Sequence, residues 1–366
     1  MTSKPDQIKG AFFGSTETEI SNRKPCPLTE ISNTIKPYQM RIIILALTLL
    51  LSCTAGLGQK FEVTDSGTFV PQHKKIILLK KPTGEKLILF KTNLAVNTDG
   101  IPISYHPHDL RGDSVALNSI LNGVFVLRKS DGVNLSVPRP KGKYSQAERN
   151  KMASEAYSII EKWRDSNYTI IPPGYKISWQ NVLIASQGKP CIFSTGKYKG
   201  YFASATALTN HLASNLGECN CNDQVDPFVI PAFVLAKNGV IKNPVRTYGA
   251  TVGDLVLAYN PTTNNLVYAI VGDTGPDDNL GEGSVILNMK LKGTTRFPTN
   301  KGETYALATD KNILICILPN SNSYELQRPY TQENIKNRIT KWFSAQGYSS
   351  ETDLIQFFEN NKPRFR

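Results

Sequence analysis

LVYAIVGDTGPDDNLGEGS, running from Leu266 to Ser284, is the stretch on which the fold reading turns. Its first six residues, Leu266 to Val271, are apolar without polar alternation, which predicts a strand buried on both faces. Gly272-Asp273-Thr274-Gly275-Pro276 closes that strand with turn residues and delivers Asp273 at its exit. A glycine-bounded loop then returns the chain to Glu282, at the start of an expected helix over 284–291. Two carboxylates flanking a loop suit general acid–base work on a bond lying between them. On pattern alone a plainer reading is ahead: Asp273 fixes its turn, and Glu282 complements a helix dipole.

Outward from that stretch, further strands are expected at 181–185, 200–205, 228–236, 254–259 and 312–318. Between Lys74 and Ala95 three apolar runs are divided by a Lys-Pro-Thr-Gly-Glu turn, which reads as a hairpin and its continuation. Residues 124–139 read as another strand pair around Ser130-Asp131-Gly132. Ser145 and Glu148 form a capping box, and Ala153, Ala156, Ile159, Ile160 and Trp163 keep helical spacing behind it, so a helix is expected over 146–165. Ile335, Ile339, Trp342 and Phe343 fall at i, i+4, i+7 and i+8 before Gly347, giving a helix over 331–346. Leu354, Phe357 and Phe358 suggest one more short helix. The class is mainly β with flanking helices (α+β).

The chain has 366 residues, 40% hydrophobic and 20% charged, too apolar for a disordered tail. Its formal net charge of +12 invites nucleic acid or anionic polymers as partners. That charge is dispersed: no block of five like charges, zinc-finger spacing or RNA-binding signature is present, so no nucleic-acid partner is expected. Ile42 to Leu51 is ten apolar residues, about 15 Å of helix and half a bilayer core, so no stable membrane insertion is expected. Met40-Arg41 before it and small residues after it make a signal peptide over 40–58. Residues 1–39 then read as a disordered leader or a mis-called start, and 59–366 as a single domain. Export is by cleavage before Gln59 or, alternatively, by lipidation at Cys53. Without residues 1–58, six basic and four acidic residues go, leaving +10. Cys191, Cys219, Cys221 and Cys316 stay behind in an exported chain that permits disulfides, with three pairings open.

Other chemistries find little support. The four histidines, His73, His106, His108 and His211, offer few partners for a nucleophilic triad, and no G-x-S-x-G elbow exists. His106 and His108 sit in a proline-containing loop and read as surface residues. No Walker loop or dinucleotide fingerprint is present, so neither cofactor nor metal is expected.

Four blocks together resemble glycoside hydrolase family 75, the chitosanases and chitosanase-like proteins. They are Leu94 to Gly100 leading to Tyr105 to Asp109; Gly188 to Pro190 with Gly200 to Leu208; Val225 and Asp226 through Ile230 to Leu235 and Val252 to Leu255 into GDTGPDDNLGEGS; and ILICILPNSNS with the 331–346 helix. They cover most of 90–350, and the third is the specific one. The resemblance implies that Asp273 and Glu282 are the catalytic pair of an inverting enzyme cleaving β-1,4-linked glucosamine polymers. On it, Tyr105 and Tyr201 would stack on sugar rings, while Asp99, Asp109, Ser204 and Thr206 would bond hydroxyl or amino groups. A monomer acting on chitosan or a related amino-sugar polymer is implied. The family's first block reads D-x-D-G, whereas Asn97 holds the first position here. Residues 123–175 look like an insertion, and 329–360 a helical tail. The strand–G-D-x-G-P–loop–helix unit also resembles that of double-psi β-barrels, implying a six-stranded barrel core. Against the resemblance, a chain of charge +10 is an awkward partner for a polycation, which leaves neutral or acidic polysaccharides open. A non-catalytic glycan-binding protein on the same scaffold is the alternative.

Overall fold

The computed structural model describes residues 60–138, 142–179, 182–211, 219, 223–237, 242–310 and 312–365. The expected leader, signal peptide and Cys53 lie outside the described residues, as does Cys221. In chain order the strands are Glu62–Phe69 (β1), Lys74–Lys80 (β2), Lys86–Thr92 (β3), Ala95–Asn97 (β4), Phe125–Arg128 (β5), Val133–Asn134 (β6), Tyr175–Ser178 (β7), Ala185–Ser186 (β8), Lys189–Pro190 (β9), Ala232–Ala236 (β10), Leu255–Asn260 (β11), Asn265–Gly275 (β12), Glu282–Ser284 (β13) and Ile313–Leu318 (β14). The helices are Gln146–Asp165 (α1), Pro244–Thr247 (α2), Val285–Lys292 (α3), Lys301–Ala306 (α4), Gln332–Ala345 (α5) and Glu351–Asn361 (α6).

Nine strands make one mixed sheet in the order β1-β2-β3-β14-β11-β12-β10-β13-β4. Most neighbours are antiparallel; β10 with β12 and β13 with β4 are parallel. Only Asn93 and Leu94 separate β3 from β4, yet the two strands stand third and last in the order. Three residue steps span at most about 11 Å, so the sheet curls until its β4 edge meets the end of β3. No closed barrel is found among the described residues, because β1 and β4 do not pair with each other.

Burial on both faces explains the apolar runs. Every residue of β11 and β14 is buried, and successive residues serve different cores. Leu255, Leu257, Leu314 and Cys316 join Ile335, Ile339, Phe343, Phe357 and Phe358 of α5 and α6. Val256, Ala258, Ile313 and Ile315 join Phe90, Phe233, Val271 and Leu287 on the opposite face. The capping boxes at Ser145 and Thr331 form, and Trp342 lies half-buried at the edge of the α5 stripe.

The expected insertion at 123–175, with the rest of β7 after it, supplies a satellite layer: the three-stranded sheet β6-β5-β7 with α1 laid on it. Trp163, Ile159, Ile160, Val126 and Ile177 fill its core, and Tyr105 and Phe202 from outside the segment complete it. Several expectations shift. The strand foreseen at 200–205 is a pair of isolated bridges, Leu183 with Ser204 and Ile192 with Phe202. That at 181–185 shrinks to β8 paired with β9 across the Gln187-Gly188 turn. β10 begins only at Ala232, since Pro231 lacks an N–H for a ladder. β1 escapes the sequence reading because it is an edge strand with exposed, polar residues. Cys191 pairs with Cys219, and Cys316 is a buried free thiol. Among the described residues no helix is long and apolar enough to cross a membrane.

Candidate active site

Three neighbouring strands place the two carboxylates of the 266–284 stretch. Val234 of β10 pairs with Asp273 of β12 on one side and with Glu282 of β13 on the other. Residues directly opposite in a ladder share a face, so Asp273, Val234 and Glu282 form one row. Two strand spacings put the Cα atoms of the acids roughly 9.5 Å apart. The row faces away from the core that takes Phe233 and Leu235, because side chains alternate along β10. A bulge between the Phe233 and Val234 pairs, with Gly272 as the extra residue, turns Asp273 onto this face. An added Cβ at Gly272 would lie 2.6 Å from the Cβ of Ala232. Glu282 is thus a strand residue rather than the first of a helix; Ser284 caps α3, accepting from Leu287 N–H.

Asp273 is held by three N–H donors. Thr274 N donates to its Oδ1 at 2.7 Å, Ala207 N to Oδ1 at 3.1 Å, and Asn97 Nδ2 to Oδ2 at 3.1 Å. Burial nevertheless pushes its pKa above the ordinary value, against those donors and the charge of Lys237. Asp99 lies beside it. Tyr105 Oη donates to Asp99 Oδ1 at 2.6 Å, and Asp99 N donates to Asn97 Oδ1 at 2.7 Å. Burial first, then the negative charge of Asp273, raises the Asp99 pKa to about 7; the Tyr105 hydroxyl opposes and Glu282 adds to the rise. The site is therefore a trio of acids with Asn97 bridging two of them.

Glu282 is oriented from the loop before it. Asn279 Nδ2 donates to Glu282 Oε1 at 2.6 Å, and Gln72 Nε2 donates to Asn279 Oδ1 at 2.7 Å. Leu280 N donates to Gln72 Oε1 at 2.7 Å, and Lys74 Nζ donates to the Leu280 carbonyl. Burial lowers the Lys74 pKa to about 8. Gly281 has φ +145° and passes against Asn93 and Thr92, where a side chain would collide. Glu282 Oε2 lies over Gly275, 3.2 Å from where a Cβ would stand.

The other expected sugar contacts are distributed differently. Tyr105 is fully buried, so its ring is closed to a stacking sugar and its hydroxyl serves Asp99. Ser204 is buried and accepts from Gly100 N at 2.9 Å, pinning the turn behind Asp99. Thr206 lines the same small cavity as Asn97, Asp99 and Asp273, and its hydroxyl donates to the Leu208 carbonyl at 2.6 Å. Asp109 caps its own loop, taking N–H bonds from Asp113, Ser114, Val115 and Ala116. Burial would raise its pKa, yet those four donors hold it well below the usual carboxylate range. Tyr201 sits with that loop, donating to the Val115 carbonyl at 3.2 Å and meeting His106 edge-on. The cavity beside Asp273 is about 10 Å³, room for one water.

Among the described residues no group of three or more histidine, cysteine, aspartate or glutamate side chains is arranged to hold a metal ion. Gln72 and Lys74 escaped the sequence reading, because their bonds to the 276–282 loop cross about two hundred residues. No protein-family model matches the chain, and no curated protein matches it either.

Proposed function

We propose that this is a secreted glycoside hydrolase of chitosanase type, related to glycoside hydrolase family 75. It would cleave β-1,4-linked glucosamine polymers or a related polysaccharide with inversion. The observation that carries the reading is the row Asp273–Val234–Glu282 on one sheet face. Two acids set two strand spacings apart on one sheet face suit the roughly 6.5–9.5 Å carboxyl separation of an inverting pair. A base draws a proton from water while an acid protonates the departing glycosidic oxygen; the bond from anomeric carbon to water oxygen forms as the glycosidic bond breaks. Asp273 and Glu282 would share the acid and base roles between them.

The barrel reading belongs here too. β3 continued by β4, then β14, β11, β12, β10 and β13, supports a six-stranded ring of double-psi type, closed where the β3–β4 segment meets β14 at one end and β13 at the other. Export rests on the signal-like 40–58 segment and is compatible with the Cys191–Cys219 disulfide. A non-catalytic polysaccharide-binding protein on the same scaffold is the second reading, favoured by the small cavity beside Asp273, which holds no sugar ring. Reducing-end release from chitosan separates the two. The enzyme reading expects turnover in the wild type and its loss by at least about 10³-fold in Asp273→Asn and in Glu282→Gln, with melting temperatures retained. Turnover that persists in either variant removes the pair from catalysis.

A further inference from the structure

We propose that a lysine-lined pocket beside the β2–β3 strands is a subsite for an anionic sugar unit, a uronate or a sulfated residue. The pocket has a volume of about 500 Å³, within the range of small-ligand sites. Lys74, Lys75 and Lys91 line it, and among the described residues no acidic side chain does. The antiparallel register that pairs Ile76 with Phe90 sets Lys75 beside Lys91 one position further on. Like charges directly opposite on adjacent strands repel, and an anion between them relieves that repulsion. Among the described residues Lys74 Nζ meets neutral acceptors, the Thr92 hydroxyl at 2.5 Å and the Leu280 carbonyl.

A bare inorganic anion would leave most of this volume empty. The rest of the lining suits a sugar: the Phe365 ring offers an apolar face, and Gln72 and Asn93 offer amide donors and acceptors. Gln72 and Lys74 also hold the loop that carries Glu282, which ties this pocket to one of the candidate acids through side-chain contacts. The sugar's place in a longer substrate rests on the glycosidase reading above, whereas its binding does not. A basic chain with such a subsite selects an acidic polysaccharide over chitosan.

Isothermal titration of the full-length mature chain tests this with a galacturonate tetramer, a glucosamine tetramer, a neutral glucose tetramer and inorganic sulfate. The galacturonate tetramer is expected to bind at least tenfold more tightly than the others. That affinity should fall at least tenfold in Lys75→Ala/Lys91→Ala and severalfold in Phe365→Ala, while Lys151→Ala/Lys162→Ala on α1 leaves it unchanged. Equal loss in the α1 control would reduce the effect to net charge and overturn the subsite. Sulfate binding as tightly as the tetramer, with Phe365→Ala silent, would mark a plain anion site and overturn the sugar. Hydrolysis of chitosan without galacturonate binding removes this inference and keeps the enzyme; binding without hydrolysis of any polymer does the reverse.

Discussion

Asn97 donates its side-chain amide to Asp273 Oδ2 at 3.1 Å. An amide there stabilises the charged carboxylate, whereas a carboxylate would repel it and force the two to share a proton. Asn97→Asp is therefore expected to add a group titrating well above the ordinary carboxylate range, read by carbon NMR of labelled aspartate. An unchanged titration of Asp273 would show that the contact carries no electrostatic weight.

Asp99 makes stability depend on pH in a defined direction. With its pKa raised from 3.8 to about 7, the folded state keeps a proton that the unfolded chain has lost across that window. Stability therefore falls as pH rises from about 4 to about 7, and the penalty is complete above that. Asp99→Asn removes the titration, so its urea-unfolding free energies should fall less across the window and exceed the wild type's at about pH 8. Parallel curves for the two proteins would refute the assignment.

Gly275 leaves the space that Glu282 occupies. A Cβ there would stand 3.2 Å from Glu282 Oε2 and 3.1 Å from Val234 Cγ1, tight enough to displace the carboxyl by a few tenths of an ångström. On the proposed glycosidase activity, Gly275→Ala should cost about 10–100-fold in turnover, with little change in melting temperature. A variant as active as the wild type would mean that Glu282 is not held in place for chemistry.

The α5 stripe is a stability element. Phe343 is fully buried among Phe357, Trp342 and Tyr348, and Phe343→Ala should destabilise by about 3–5 kcal/mol in denaturant unfolding. Reduction of Cys191–Cys219, which closes a sequence separation of 28, should cost about 3–4 kcal/mol in the chain-entropy picture. Calorimetry with and without reductant measures the second effect; an unchanged transition would assign the disulfide no share in stability.

What the sequence made legible follows periodicity and local chemistry. The all-apolar run before Asp273, the capping boxes at Ser145 and Thr331, and the stripe of α5 are local signals, and each meets its expected element. β1 carried no signal, because an edge strand with solvent on both faces has no hydrophobic period to display. Glu282 looked like a helix start because β13 is three residues long and Ser284 caps a helix directly behind it. The partition of the acids was not legible either. Asp109 and Asp99 read alike as loop aspartates, and only the fold shows four backbone donors on one and two neighbouring carboxylates around the other.

The strand order also dictates when this sheet becomes possible. β14, from Ile313–Leu318, lies between β3 and β11 and is the last strand synthesised. Until it emerges, the hairpin of β2 and β3 has no partner linking it to β11 and β12, and β4 waits for a strand about 190 residues downstream. Such distant pairings are slow to form, and a partial chain presents unpaired edges meanwhile. A fragment that ends before β14 should thus leave the β2–β3 hairpin, with the Gln72 and Lys74 that support the Glu282 loop, unlinked to the strands that carry the acids.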